Sequence, residues 1–133
     1  MNPIFKNYSD SARQLFSRVK EESINPIFTY INPDAKNYCL LVSSHLVEFS
    51  EIRNLKFVIR NLVILDDGST NSVEFNEYTD RIRESSPTTK IIIAIPVIPE
   101  SEKATLESVC DTLIYLHAEP LFFSINQFYQ SNT

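Results

Sequence analysis

The order of residues predicts an α/β domain, a three-layer arrangement around a parallel sheet, and three observations carry the prediction. Strand-like and helix-like segments alternate from about residue 56 to residue 116. The run Lys90 to Val97 shows almost no polar alternation, the pattern of a strand covered on both faces. The length of 133 residues, with 43% hydrophobic and 22% charged residues, fits one globular domain spanning 1–133 rather than a disordered chain.

Taken in order, residues 9–22 read as a helix with Ala12, Leu15, Phe16 and Val19 at helical spacing and Ser9 or Asp10 as its cap. Ile27 to Ile31 is β-branched and aromatic, suits a strand, and is broken by Asn32-Pro33-Asp34. Tyr38 to Phe49 fits either a returning strand or a short buried helix. Val58 to Asp66 holds a buried strand centred on Val63-Ile64-Leu65. Residues 72–85 form a helix presenting Phe75, Tyr78, Thr79 and Ile82 on one face. Lys90 to Val97 is the next strand, Pro99-Glu100-Ser101 opens a helix carrying Leu106, Val109 and Cys110, and Thr112 to Leu116 is the last strand. Strand, helix, strand, helix, strand implies a parallel sheet with right-handed crossovers.

Composition removes several function classes. The longest uncharged apolar run, about Ile91 to Pro99, falls short of the roughly 20 residues that cross a bilayer, so no membrane partner is expected. The segment from Met1 to Lys6 lacks the apolar stretch of a secretion signal, and Cys39 and Cys110 are too few for a disulfide scaffold or a four-cysteine zinc site. A reduced, cytoplasmic setting is the expectation. Gly68 is the only glycine, where average usage would supply about nine, so glycine-rich dinucleotide and P-loop motifs are excluded. Residues 1–60 carry a net charge of +2 and residues 61–133 one of −7. The acidic half repels nucleic acid, whose binding depends on cations meeting phosphate. His45 and His117 each stand apart from any acid or cysteine at metal-ligand spacing, and both cysteines lie in apolar surroundings and read as small core residues.

One segment stands where such a sheet binds ligands, at the carboxyl end of a strand and the start of a helix. Asp66-Asp67-Gly68-Ser69-Thr70-Asn71-Ser72 offers adjacent carboxylates for vicinal sugar hydroxyls or Mg²⁺. It also offers hydroxyls and backbone N–H groups for a phosphate. The same residues are ordinary turn and capping chemistry, with Glu74 three residues after Asn71.

Val63 to Ser72 resembles the signature of type I phosphoribosyltransferases, in particular the bacterial branch whose strand ends in an Asp-Asp-Gly loop. Phe5 to Leu15 looks like that branch's opening segment, while Ile92 to Pro99 and Asp111 to Leu116 are similar to its later core strands. Phe122 to Tyr129 is similar to its aromatic closure. The resemblance implies that Asp66 and Asp67 meet the ribose hydroxyls of phosphoribosyl pyrophosphate with Mg²⁺, and that Gly68, Ser69, Thr70, Asn71 and Ser72, with Val73, surround its 5′-phosphate. The chain departs from the family where a second glycine and further threonines are usual, and Glu74 puts a carboxylate beside the expected phosphate. Asn32-Pro33-Asp34 stands near the place of the basic pyrophosphate loop, and most of the hood over the acceptor base is missing.

The expectation is therefore a degenerate phosphoribosyltransferase-like protein acting as a binding or regulatory module, with a homodimer or protein partner. The alternatives are an active minimal transferase or a sensor of a nucleotide or sugar phosphate. An active enzyme requires Arg13, Lys36, Arg53, Lys56 or Arg60 above Asp66; an interaction module leaves them scattered. The cluster Leu121, Phe122, Phe123, Ile125, Phe128 and Tyr129 is expected either to pack into the core or to meet another subunit.

Overall fold

The computed structural model describes residues 3–52, 54 and 58–131. Its sheet has four strands, β1 (Ile27–Tyr30), β2 (Asn61–Leu65), β3 (Lys90–Pro99) and β4 (Thr112–Glu119), all parallel and lying side by side in chain order. The α/β class and the parallel sheet are as expected from the alternation.

Helices cover both faces. On one, α1 (Tyr8–Glu22) and α2 (Lys36–Val42) bury Ala12, Leu15, Val19, Tyr38, Cys39 and Val42 against Val63, Leu65, Ile92 and Ala94. On the other, α4 (Ser72–Ser85) and α5 (Lys103–Val109) bury Phe75, Ile82, Leu106 and Val109 against Leu62, Ile64, Ile91, Ile93 and Ile95. The short α3 (Phe49–Ile52) joins this second layer through Phe49 and Ile52. The unbroken apolar run of β3 feeds both cores, Ile91, Ile93 and Ile95 alternating with Ile92 and Ala94 before the pattern shifts beyond Pro96 and places Ile98 with Ile95.

Several boundaries shift. Helix α1 begins at Tyr8 with Asn7 as cap, whose side chain accepts the Asp10 N–H at 2.9 Å, and not with Ser9 or Asp10. Of the two readings of Tyr38 to Phe49, the short buried helix holds for its first part. The segment starts as α2, with Tyr38, Cys39 and Val42 inward and Leu40 and Leu41 outward, and leaves helical geometry at Ser43. The periodicity is blurred in sequence because two exposed leucines fill the polar face. Helix α4 occupies 72–85 as expected, while β3 and β4 run on to Pro99 and Glu119. A 3-10 turn, Glu100–Glu102, precedes α5.

Pro96 stands inside a central strand, a place that normally rejects proline. The Ala94 carbonyl accepts the Asp66 N–H at 3.2 Å, and among the described residues Pro96 has no partner between Ile95↔Tyr115 and Val97↔His117 in the register with β4. Strand β2 ends at Leu65, paired with Ala94, and no ladder bond is required of Pro96. The proline thus marks where β3 outruns its neighbour and the Asp66 loop begins.

The connections define a crevice. After β1 the chain turns to the α1 face through α2; after β2 it turns to the opposite face through α4. Adjacent strands whose following segments diverge leave a gap at their carboxyl ends, the geometry that places ligands in open α/β sheets. Among the described residues, no helix is long and apolar enough to cross a membrane.

Candidate functional site

The Asp66–Ser72 loop borders this crevice, and its shape is set by its own carboxylates. Asp66 is fully buried. Its Oδ2 accepts the N–H groups of Gly68 at 2.9 Å and Thr70 at 3.1 Å, and its Oδ1 accepts the Thr70 hydroxyl at 2.6 Å. Asp67 repeats the motif nearer the surface, with Oδ1 accepting the Ser69 N–H at 2.9 Å and hydroxyl at 2.6 Å. Burial is the largest influence on Asp66 and pushes its carboxyl up to about 6; the Thr70 hydroxyl opposes this, and the neighbouring Asp67 charge adds to it.

Gly68 sits at φ 109°, a conformation that L side chains rarely adopt. A Cβ there would lie 2.8 Å from the Val97 carbonyl oxygen, 2.9 Å from Val97 Cγ2 and 3.2 Å from Ile125 Cγ2. The single glycine of the chain is therefore required both by backbone angle and by close packing on β3.

The start of α4 is closed as well. Asn71 is the cap, its Oδ1 accepting the Glu74 N–H at 3.0 Å. The Glu74 carboxylate accepts the Asn71 amide at 3.4 Å, so it supports the cap rather than the helix N–H groups. Glu102, from the turn before α5, accepts the Ser72 N–H at 3.1 Å and its hydroxyl at 2.9 Å. That carboxylate occupies donors that an incoming phosphate would use, and favours the helix dipole there. Across the crevice Asn32 Nδ2 donates to Ser69 Oγ at 3.1 Å. Replacing Glu102 with alanine removes a charge-assisted cap on a buried serine and is expected to cost about 1 to 2 kcal/mol. Glu102→Gln should recover part of it in thermal melts; equal melting of all three proteins would show that the contact contributes nothing.

All seven loop residues are thus brought together, but mostly facing one another. Asp66 spends both oxygens on its own loop and does not fit Mg²⁺ in this arrangement, which leaves only Asp67 of the pair. Among the described residues, no group of three or more His, Cys, Asp or Glu side chains is placed to hold a metal ion.

Among the cations expected above Asp66, Lys36 lies at the loop's end of the sheet, since the Tyr30 beneath it pairs with Leu65, and Arg60 lies at the opposite end. Arg13 lies 3.8 Å from Asp10 on α1, Lys36 lies over the Tyr30 ring, and Arg60 stands at the amino end of β2, where its carbonyl accepts the Lys90 N–H. Arg53 and Lys56 lie outside the described residues. An open cleft of about 680 Å³ is lined by Ile31, Phe49, Tyr78 and Arg81 among others, with no wall from residues 66–72.

Beneath the loop on the α1 side is a hydroxyl cluster. Ser11 Oγ lies 2.9 Å from the Tyr38 hydroxyl and 2.8 Å from that of Tyr129, and donates to the Tyr8 carbonyl at 3.1 Å. Burial pushes the Tyr129 phenol up to about 12 and Tyr38 higher still, so both stay neutral. Tyr8 is also raised, by burial first and then by Asp67. The opening segment and the aromatic closure meet here: Phe5 pairs with Tyr129 in an isolated parallel bridge, and Phe5, Phe128 and Tyr129 pack with Val97.

The remaining candidates resolve simply. Cys39 and Cys110 are buried and free, and burial pushes the Cys110 thiol up to about 11 and Cys39 beyond it. Neither is an activated nucleophile. His117 meets Glu119 at 3.2 Å, a pair missed because the expected strand stopped at Leu116, one residue before the i, i+2 face could form. Glu102 carried no local signal for its role, since acids at a helix start are ordinary and Ser72 lies thirty residues away.

Comparison with protein-family models, curated proteins and solved structures finds no match.

Proposed function

We propose that this chain is a phosphoribosyltransferase-like α/β domain that does not carry out transfer and works as a binding or interaction module. The observation that carries this reading is the Glu102 carboxylate seated on the N–H and hydroxyl of Ser72. A sugar 5′-phosphate entering the loop would have to displace that carboxylate and face Glu74 and Asp67 nearby. Two like charges about 4 Å apart repel by about 1 to 4 kcal/mol, depending on local dielectric. The placement of Arg60 at the far end of the sheet and of Arg13 beside Asp10 supports the same reading, because departing pyrophosphate needs cations where it leaves.

Calorimetric titration with phosphoribosyl pyrophosphate and Mg²⁺ tests it. The expected result is no heat of binding up to millimolar ligand. Micromolar binding that disappears in an Asp66→Asn/Asp67→Asn variant would overturn the interaction reading and favour a working minimal transferase or a sensor of the same ligand, and formation of pyrophosphate in the presence of an acceptor base would overturn the absence of transfer.

A further inference from the structure

The cleft of about 680 Å³ is walled by three segments that the fold brings together: the end of β1 with Tyr30 and Ile31, the entry to α3 with Glu48 and Phe49, and α4 with Tyr78 and Arg81. Its volume falls in the range of small-molecule sites, about 300 to 1,000 Å³. Ile31 belongs to the buried core, and Phe49 and Tyr78 pack on that core while staying half-buried. The two rings stand perpendicular, with centroids 4.6 Å apart. A perpendicular pair can offer a third ring one face and one edge, the two contacts that aromatic rings favour.

Arg81 turns onto this wall. Its guanidinium lies 5.1 Å from the centre of the Tyr78 ring. Glu77 and Glu84 stand four residues before it and three after it on α4, within helical reach, yet Arg81 forms an ion pair with neither. Among the described residues no carboxylate lies at ion-pair distance from it, whereas Arg83 on the same helix meets Asp111 at 3.8 Å. A guanidinium stacked on an aromatic ring keeps its in-plane N–H groups for an anion. The other charged side chain on the wall is Glu48, also without an ion-pair partner among the described residues. Lys36, 5.8 Å over the Tyr30 ring, adds a second positive charge beside the cleft. A single negative charge complements this set, and Glu48 opposes a second.

We propose that this cleft binds a planar aromatic carboxylate, its ring against Phe49 and Tyr78 and its carboxylate on Arg81. The inference rests on the reading of this domain as a binding module, and it sets the ligand apart from residues 66–72, which form no wall of the cleft. The rings alone would serve any apolar molecule, and Arg81 alone any anion. Their juxtaposition selects the combination. A carboxylate is favoured over a phosphate ester because Glu48 shares the wall and repels the additional charge.

Titration of the full chain with 2-naphthoate, followed through the backbone amide resonances, tests the inference. For a ligand of this size the expected Kd is about 0.1 to 1 mM, with shifts centred on Tyr30, Phe49, Tyr78 and Arg81. Arg81→Gln, which alters an exposed side chain, should raise Kd about tenfold and leave the resonances of the rest of the fold in place. The neutral 2-naphthamide should bind wild type about tenfold more weakly than 2-naphthoate does, and should not distinguish wild type from Arg81→Gln. Cyclohexanecarboxylate, which keeps the charge and lacks the aromatic ring, should not saturate by about 10 mM. The ester 2-naphthyl phosphate should bind wild type no more tightly than 2-naphthoate, and Glu48→Gln should tighten it severalfold. No saturation by 2-naphthoate up to about 10 mM overturns the inference, as do shifts centred elsewhere, equal affinity of wild type and Arg81→Gln, or equal affinity for cyclohexanecarboxylate. Tighter binding of the phosphate ester by wild type overturns the assignment of a carboxylate. The titration with phosphoribosyl pyrophosphate remains independent: tight binding that depends on Asp66 and Asp67 overturns the functional reading alone, and failure of 2-naphthoate overturns this inference alone.

Discussion

Gly68→Ala is expected to destabilise the domain by about 3 to 5 kcal/mol, roughly 10 to 20 °C in Tm, from the strain and overpacking terms together. Two independent costs meet at one position. The backbone angle of 109° disfavours any side chain, and the added methyl would press on the Val97 carbonyl oxygen and Cγ2. Because Val97 belongs to a fully buried strand, the neighbour cannot retreat. Adding Val97→Ala should recover only part of the loss, since the backbone oxygen and the unfavourable angle remain. Thermal and urea unfolding of the single and double variants decides the matter. A loss below about 1 kcal/mol for Gly68→Ala would mean that the loop can adopt another turn without disturbing β3.

The second large effect concerns Asp66. Removing its carboxylate with Asp66→Ala leaves the Gly68 and Thr70 N–H groups and the Thr70 hydroxyl without their acceptor, at a cost of about 3 kcal/mol or more. The pH dependence is more diagnostic. The carboxyl titrates near 6 in the folded protein, above its ordinary 3.8. The folded state therefore binds this proton more tightly than the unfolded state does. The resulting stabilisation is fully present below pH 3.8 and is lost as pH rises through about 6, with a span of roughly 3 kcal/mol. Asp66→Asn cannot titrate, so the stability difference between wild type and this variant should move in favour of wild type as pH falls from 7 to 4. Other carboxylates, such as Asp10, whose backbone hydrogen bond to Lys6 lowers it, act oppositely but cancel in the difference. A difference that is constant, or that moves the other way, would show that the three hydrogen bonds outweigh burial and keep the carboxylate ionised.

These two residues also show how far the chain could be read before folding. Gly68 was legible as exceptional from its solitude, yet its reason lies in Val97 and Ile125, which come from elements well separated in sequence. Asp66 and Asp67 were legible as a turn or a ligand loop, and local chemistry left those readings open. Burial decides Asp66, and burial depends on both helix layers closing over the end of β2. Where apolar spacing was regular, as in α4, the boundaries followed from the residues. In residues 38–49, Leu40 and Leu41 filled the polar face with apolar side chains, and the period could not be seen.

What residue order determined by itself was the alternation of strand and helix, the doubly covered β3, and the position of the Asp-Asp-Gly loop at the end of a strand. Each follows from short-range periodicity, turn residues and backbone preference, which act within a few residues. What only the tertiary structure decided was the state of that loop and the exposure of the sheet. Glu102 reaches Ser72, Asn32 reaches Ser69, Val47 lies along the β1 edge, and among the described residues β4 pairs only with β3. These contacts join segments from eighteen to thirty-seven residues apart, and sheet register and helix packing bring them together without any local pattern to announce them.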